Sequence, residues 1–263
     1  MKESLDILIV ERRLVESRSK ARWLIRNGFV LVDGKTNREP DKKIENSKTI
    51  SLLSEFPYVG KGGLKLEAAL REFQISADNK VCADLGASVG GFTDCLIQKG
   101  AKKVYAVDTA TELLHPSLIC EKMEGKVIPM LGIDARELIE LPSKVDLCTI
   151  DITFSPLESI LLNVKNFLKP EGDIIALVKP LFETDFYNEQ KIENIVKNKD
   201  ILYQILNNMQ NWAIQQEIFP YNLILSPIKG KGGSLEFFFH FRIDHSSAFF
   251  NFKKRAHSLL FSE

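Results

Sequence analysis

The chain has little with which to build covalent or metal cross-links. It carries 4 cysteines and 4 histidines in 263 residues. Cys82, Cys95, Cys120 and Cys148 lie far apart within apolar patterns, and no C-x-x-C pair occurs. That argues against a disulfide framework or a zinc centre, and no metal site is expected. Reduced, buried thiols in a cytoplasmic protein are the simple reading. An excess of either charge is missing too, since 35 Lys and Arg offset 35 Asp and Glu. The whole chain is therefore not a basic nucleic-acid binder, and any such patch must be local. No apolar run reaches membrane-spanning length, M-K-E-S-L-D does not read as a signal peptide, and no long repeat occurs. No membrane partner is expected. Hydrophobic residues make up 44% of the chain, enough for one large domain or a main domain with a small one.

The dinucleotide signature G-x-G-x-x-G is absent as well. In its place Val81 to Asp94 reads V-C-A-D-L-G-A-S-V-G-G-F-T-D. A strand ends at Asp84, a turn holds Gly86, Gly90 and Gly91, and a helix starts at Phe92 and runs to Gln98. Ser88 stands where a dinucleotide site needs its second glycine for the pyrophosphate. The loop suits a ligand without that group. S-adenosylmethionine is such a ligand, and its positive ammonium and sulfonium suit Asp84. A second strand, Val104 to Val107, ends at Asp108, 24 residues after Asp84. That places Asp108 to bind a ribose diol. A third strand, Lys126 to Met130, is followed by Asp134. This residue either accepts from an adenine amino group or N-caps a helix over Ala135 to Ile139.

Strands and helices continue to alternate. Val145 to Ile150 ends at Asp151, and a helix starting at Phe154-Ser155-Pro156 runs to Leu168. Ile174 to Val178 ends at Lys179, a helical pattern covers 189–215, and Leu223 to Leu225 is a strand. A basic glycine loop over 229–233 leads to the last strand, Leu235 to Phe241, with Glu236 near its start. This order predicts an α/β fold: a mostly parallel seven-stranded sheet with helices on both faces. The short loop allows the last strand to run antiparallel. Gly62 to about Phe73 is a helix leading into the sheet. Lys65, Asp151, Lys179 and Glu236 then fall at one rim or on the helix leading to it.

The first sixty residues are smaller in scale. Leu5, Leu8, Ile9 and Leu14 mark a short helix and its exit. Ser17 N-caps a second helix, Arg18 to Arg26. Phe29 to Val32 is a strand, Asp33-Gly34 a hairpin turn, and Thr49 to Leu53 another strand. Arg12, Arg13, Arg18, Lys20, Arg22 and Arg26 outnumber Glu11 and Glu16 here. Arg18, Arg22 and Arg26 share one helix face. By themselves they read either as a phosphate-binding stripe or as a solvated face.

The run from S-L-D-I-L-I-V-E-R-R through S-R-S-K-A-R-W-L-I-R-N-G-F-V-L-V-D-G-K resembles the S4 RNA-binding domain. Its core is L-D, S-R-x-x-A, L-I, G-x-V and V-x-G-K, which includes Ser17 and Lys35. G-G-L-K-L-E-A-A-L, D-L-G-A-S-V-G-G-F-T-D, T-I-D-I-T-F, A-L-V-K-P-L-F-E and S-P-I-K-G-K-G-G-S-L-E-F resemble the FtsJ-like ribose methyltransferases. Together they resemble the TlyA family, often labelled hemolysin A. The resemblance implies a Rossmann-like class I methyltransferase domain over 62–243, an α+β S4 domain over 1–53, a linker at 54–61 and a tail at 244–263. It implies S-adenosylmethionine-dependent 2′-O-methylation of ribosomal RNA, free or in ribosomal subunits. It settles the basic stripe as RNA-binding. The family's Lys-Asp-Lys-Glu tetrad carries over to Lys65, Asp151, Lys179 and Glu236. Lys179 is our choice of base, although the residues do not decide between the two lysines. After Asp108 the chain reads T-A-T-E-L-L-H-P rather than the family's G-x-G-Q-L. After Glu183 the family's glycine-rich basic segment is replaced. A non-catalytic RNA-binding protein and a membrane-active hemolysin are the alternatives. The tail's A-F-F-N-F-K-K-R-A-H-S-L-L reads as an amphipathic helix that packs on the core or on a partner, with the core the preferred reading.

Overall fold

The computed structural model describes residues 2–153, 155–183, 198–230, 233–244 and 250–261. The chain divides into two compact units, Met1–Lys61 and Gly62–Glu263.

In the first unit, β1 (Lys2–Ser4), α1 (Leu5–Glu11), α2 (Arg18–Arg26), β2 (Val30–Val32), β3 (Lys35–Asn37), β4 (Lys43–Glu45) and β5 (Ile50–Leu52) follow in order. Ser17 is extended and its hydroxyl accepts from the Lys20 N–H, which starts α2. The Asp33-Gly34 turn joins β2 to β3 with Val32 opposite Lys35, and β5 pairs on the other side of β2. Antiparallel β1 and β4 form a separate two-stranded sheet that the sequence did not signal. Leu5, Leu8, Ile9, Leu24, Ile25 and Val30 bury the apolar faces of both helices against the strands. Trp23 stacks on Phe29 at 5.7 Å and meets Phe56 edge-on at 5.2 Å.

The second unit contains α3 (Gly62–Phe73), β6 (Val81–Leu85), α4 (Gly91–Gln98), β7 (Lys103–Asp108), β8 (Val127–Leu131), β9 (Val145–Ile150), α5 (Glu158–Phe167), β10 (Leu168–Val178), α6 (Lys199–Gln215), β11 (Phe219–Leu225), β12 (Phe237–Arg242) and α7 (Phe252–Phe261). Its sheet has seven strands in the order β11-β12-β10-β9-β6-β7-β8. β6 to β10 run parallel, and β12 is antiparallel to both β10 and β11. The chain winds outward from β6 through β7 to β8, then returns to β9 and winds the other way. Its switch point therefore lies between β6 and β9, where open α/β sheets place ligands. The central strands are apolar on both faces because helices cover both, as Val145, Leu147, Cys148 and Ile150 show by their complete burial.

Several boundaries differ from expectation. No helix spans Ala135 to Ile139; the chain makes only a turn there, closed by the Glu137 N–H on the Asp134 carbonyl at 3.0 Å. α5 begins at Glu158, after Pro156, rather than near Phe154, which is outside the described residues. β10 begins at Leu168 and shifts register before Asp173, a stretch that contains Pro170 and Gly172. Residues 189–197 of the expected long helix, residues 231–232 of the basic loop, and 245–249 and 262–263 of the tail are outside the described residues. The tail does form α7, which packs on α6 and β11 through buried Phe252, Ala256 and Leu260. Arg255 Nε ties it to the Leu223 carbonyl at 2.7 Å.

Candidate active site

At the switch point, the loop after β6 must pass close to the end of β9. The Asp151 N–H donates to the Leu85 carbonyl at 2.9 Å. A Cβ on Gly86 would stand 2.5 Å from the Asp151 carbonyl oxygen, and Gly86 has a φ of +84°. Only glycine meets both conditions without strain. The loop then reaches β7, where the Ser88 N–H donates to Asp108 Oδ2 at 2.7 Å and the Ala110 N–H to Oδ1 at 2.8 Å. A cavity of about 500 Å³ opens here, and its lining includes Gly86, Ser88, Asp108, Leu113, Asp134 and Asp151.

The other residues expected at the ligand do not line this cavity. Asp84 is fully buried beneath the loop, accepting from the Thr93 hydroxyl at 2.6 Å and the Thr149 hydroxyl at 3.0 Å. Burial pushes its carboxyl up to about 7, against the two hydroxyls, and the Asp151 charge adds to the rise. Gly90 and Gly91 start α4 rather than face the opening, with Leu114 and Leu118 packed against Gly90. Phe92 is buried against Phe238 at 6.1 Å. These four residues shape the loop from behind. Of the two readings for Asp134, the cap is excluded because no helix follows. Its carboxylate is instead gripped by Arg136, at 3.0 Å from Nε and 2.5 Å from Nη2. Those bonds hold it below the usual carboxylate range. Arg136 lines the same cavity and had not been singled out in the sequence.

The four charged rim residues form two ion pairs. Lys65, on the first turn of α3, lies 2.5 Å from Glu236 Oε2. Lys179, just after β10, contacts Asp151, just after β9. Val178 lies opposite Phe237, so continuing the register brings Lys179 opposite Glu236. Ile150 lies opposite Ala176, which carries Asp151 to the same end. The sheet thus gathers the pairs although they come from distant parts of the chain. All four side chains are mostly buried. Lys179 Nζ also donates to Thr153 Oγ1 at 2.9 Å. Thr153 was visible in the sequence only as a letter of T-I-D-I-T-F. Glu236 is enclosed by the turn at Gly230, whose N–H donates to the Ser234 carbonyl at 2.9 Å.

In the first unit the basic stripe is largely paired. Arg18 and Arg22 both reach the buried Asp6 carboxylate, at 2.9 and 2.8 Å, and Arg22 also meets Asp41 at 2.6 Å. Arg12 donates to the Lys48 and Asn46 carbonyls at 2.8 and 2.7 Å. Lys20 pairs with Glu16 at 2.6 Å and lies over the Phe56 ring at 5.6 Å. Arg13, Arg26 and Lys35 are exposed and make no ion pair among the described residues.

Residues 58–243 match the model of the FtsJ-like methyltransferase family, and residues 3–49 match the S4 domain. The chain is 35% identical to Hemolysin A of Brachyspira hyodysenteriae over 91% of its own length and 99% of that protein's. It is 31% identical to the 23S rRNA (cytidine-2′-O)-methyltransferase TlyA of Campylobacter jejuni, over 88% of this chain and 96% of that one. A solved structure from Streptococcus thermophilus, whose name carries the word hemolysin, superposes with a TM-score of 0.72 at 31% identity. That match covers 98% of this chain and 95% of the other. No helix among the described residues is long and apolar enough to cross a membrane.

Proposed function

Because the chain belongs to the FtsJ-like methyltransferase family, we propose that it transfers a methyl group from S-adenosylmethionine to a ribose 2′-hydroxyl of ribosomal RNA. The observation that carries this reading is the placement of Lys179 and Asp151: together at the switch point, with Asp151 also lining a cavity of nucleoside size. The cavity suits the cofactor. Its loop has no second glycine for a pyrophosphate, and Asp108, with two lone-pair sites still open, suits a ribose diol. Asp134 would meet the adenine amino group, and the backbone at Gly86 the remainder. When bound, S-adenosylmethionine supplies an electrophilic methyl carbon.

The protein's part is to position and deprotonate a weak nucleophile. Lys179, in its neutral amine form, would take the proton of the ribose 2′-hydroxyl. Asp151 and Thr153 aim its amine. Glu236 holds Lys65 at the same end of the sheet, as a cation beside that base. The S4 domain docks the RNA, with Arg13, Arg26 and Lys35 as its phosphate contacts and the paired arginines in support.

The test is transfer of labelled methyl from S-adenosylmethionine to intact ribosomal subunits and, separately, to naked ribosomal RNA. Label is expected on a ribose, falling about 10²- to 10⁴-fold in Lys179→Ala. RNA binding without incorporation into any acceptor would replace this reading with that of a non-catalytic RNA-binding protein.

A further inference from the structure

Two segments leave the sheet side by side and carry the catalytic pair. One starts at Asp151 after β9 and leads into α5. The other starts at Lys179 after β10 and makes a short 3₁₀ turn over Pro180–Phe182. The turn is closed on Lys179 itself, whose carbonyl accepts from the Phe182 N–H at 2.8 Å. Glu183 follows directly. Its two carboxyl oxygens both stand 3.2 Å from the Leu157 N–H, in the residue before α5. Lys179 bonds the same segment at the near end, through Asp151 and Thr153. The two segments are thus pinned at both ends of the turn, and Glu183 is the distal pin.

From this geometry we infer that Glu183 is a positioning residue for Lys179, resting on the function proposed above. With the far end of the turn anchored to Leu157, Lys179 starts from a fixed backbone and its amine points at one place. Released from Leu157, the turn can rotate about Val178, and the Lys179 amine loses its alignment. A shift of about 1 Å in a reacting group costs on the order of a hundredfold in rate. A carboxylate is a stronger acceptor than a neutral group for such an N–H. Burial pushes the Glu183 carboxyl up to about 7, against the Leu157 N–H and with the Glu158 charge adding to the rise. The residue thus holds a desolvated acceptor in place where an apolar side chain would leave the N–H without this partner.

Glu183→Ala and Glu183→Gln test the inference. In the alanine variant kcat is expected to fall roughly ten- to a hundredfold, with KM for both substrates unchanged. The glutamine variant keeps an amide oxygen for Leu157 and is expected to recover most of that loss. An unchanged kcat, a rise confined to KM, or equal loss in both variants would overturn the assignment. Amide exchange at Leu157 provides a readout independent of activity. Protection is expected in the wild type and Glu183→Gln and faster exchange in Glu183→Ala. If the alanine variant does not fold, Glu183→Gln decides by its near-wild-type kcat or lack of it. If the wild-type chain methylates no acceptor, the proposed function fails on its own. The Leu157 exchange then still tells whether the pin exists, and equal protection in all three proteins would remove it.

Discussion

Asp6 and Asp84 are both fully buried, one in each unit, yet their carboxyls move in opposite directions. Burial favours the protonated form of each. At Asp6 hydrogen bonds from Arg18 and Arg22 outweigh burial and bring the carboxyl down to about 2. At Asp84 the partners are the uncharged hydroxyls of Thr93 and Thr149, burial wins, and the value rises to about 7. The charge of the partner separates them, and depth adds to it, since Asp84 lies deep beneath the loop while Asp6 sits beside the exposed Arg18 side chain. The contrast also separates two kinds of motif residue. Asp6, Arg18 of S-R-x-x-A and Arg22 just after that motif lock the first unit together. Asp84 fixes the floor of the loop, where a permanent charge is not required.

The largest effect should come from Asp84→Asn, which removes the titration and keeps the shape. A raised carboxyl binds its proton in the folded state between pH 3.8 and about 7. The folded state therefore loses relative stability as pH rises through that window. At about 1.4 kcal/mol per pK unit, the window amounts to roughly 4 kcal/mol. Asp84→Asn should gain on the wild type by up to that amount between pH 4 and pH 8. The chain has 2 tryptophans, Trp23 and Trp212, one in each unit. Urea unfolding followed by Trp212 in a Trp23→Phe background isolates the relevant transition. A gap that stays flat with pH would mean that Asp84 is charged throughout and the contrast with Asp6 is wrong.

Asp6→Asn should act with the opposite sign. A depressed carboxyl stabilises the fold above pH 3.8, and that contribution is lost as pH falls through about 2. The interval is worth about 2 kcal/mol, less the screening at Arg18, whose side chain is 56% exposed. Trp23 fluorescence in a Trp212→Phe background should show the variant less stable at pH 7 and level with the wild type near pH 2. Equal destabilisation at both pH values would locate the role of Asp6 in packing instead of charge.

Much of this architecture was legible before the structure. α2 carries its own boundaries, with Ser17 before it and Asn27-Gly28 after it. The apolar runs of β6, β7 and β9 are long enough to stand out, and each ends in or next to an acid at the ligand end. β1 and β4 were not legible, because K-E-S and K-I-E are three residues long and have no alternating pattern to detect. Asp134 stayed open between two readings: an acid before A-R-E-L looks like a cap, and only the folded backbone shows that no helix follows and that Arg136, two residues on, holds it in a turn. The four rim residues were proposed by resemblance, while the meeting of Lys179 with Asp151 follows from the register of β10 against β9, and that of β10 against β12 brings Glu236 to the same end. Asp84 was assigned to the ligand because a strand-end acid looks the same in sequence whether it faces the cavity or the hydroxyls beneath it.

The smallest effect is expected where no charge is involved. The Ser17 hydroxyl accepts from the Lys20 N–H at 3.3 Å, a long bond at the exposed start of α2. Losing an N-cap costs about 0.5 to 2 kcal/mol, and the length of this bond places Ser17→Ala at the low end. The hydroxyl does not titrate, so the loss should be the same at pH 4 and pH 8 when read through Trp23. A loss that grew toward acid would show that the cap is coupled to Asp6 through Arg18, the first residue of α2. In that event the charge network of the first unit would reach further than its direct bonds, and Asp6→Asn and Ser17→Ala would fail to add in the double variant.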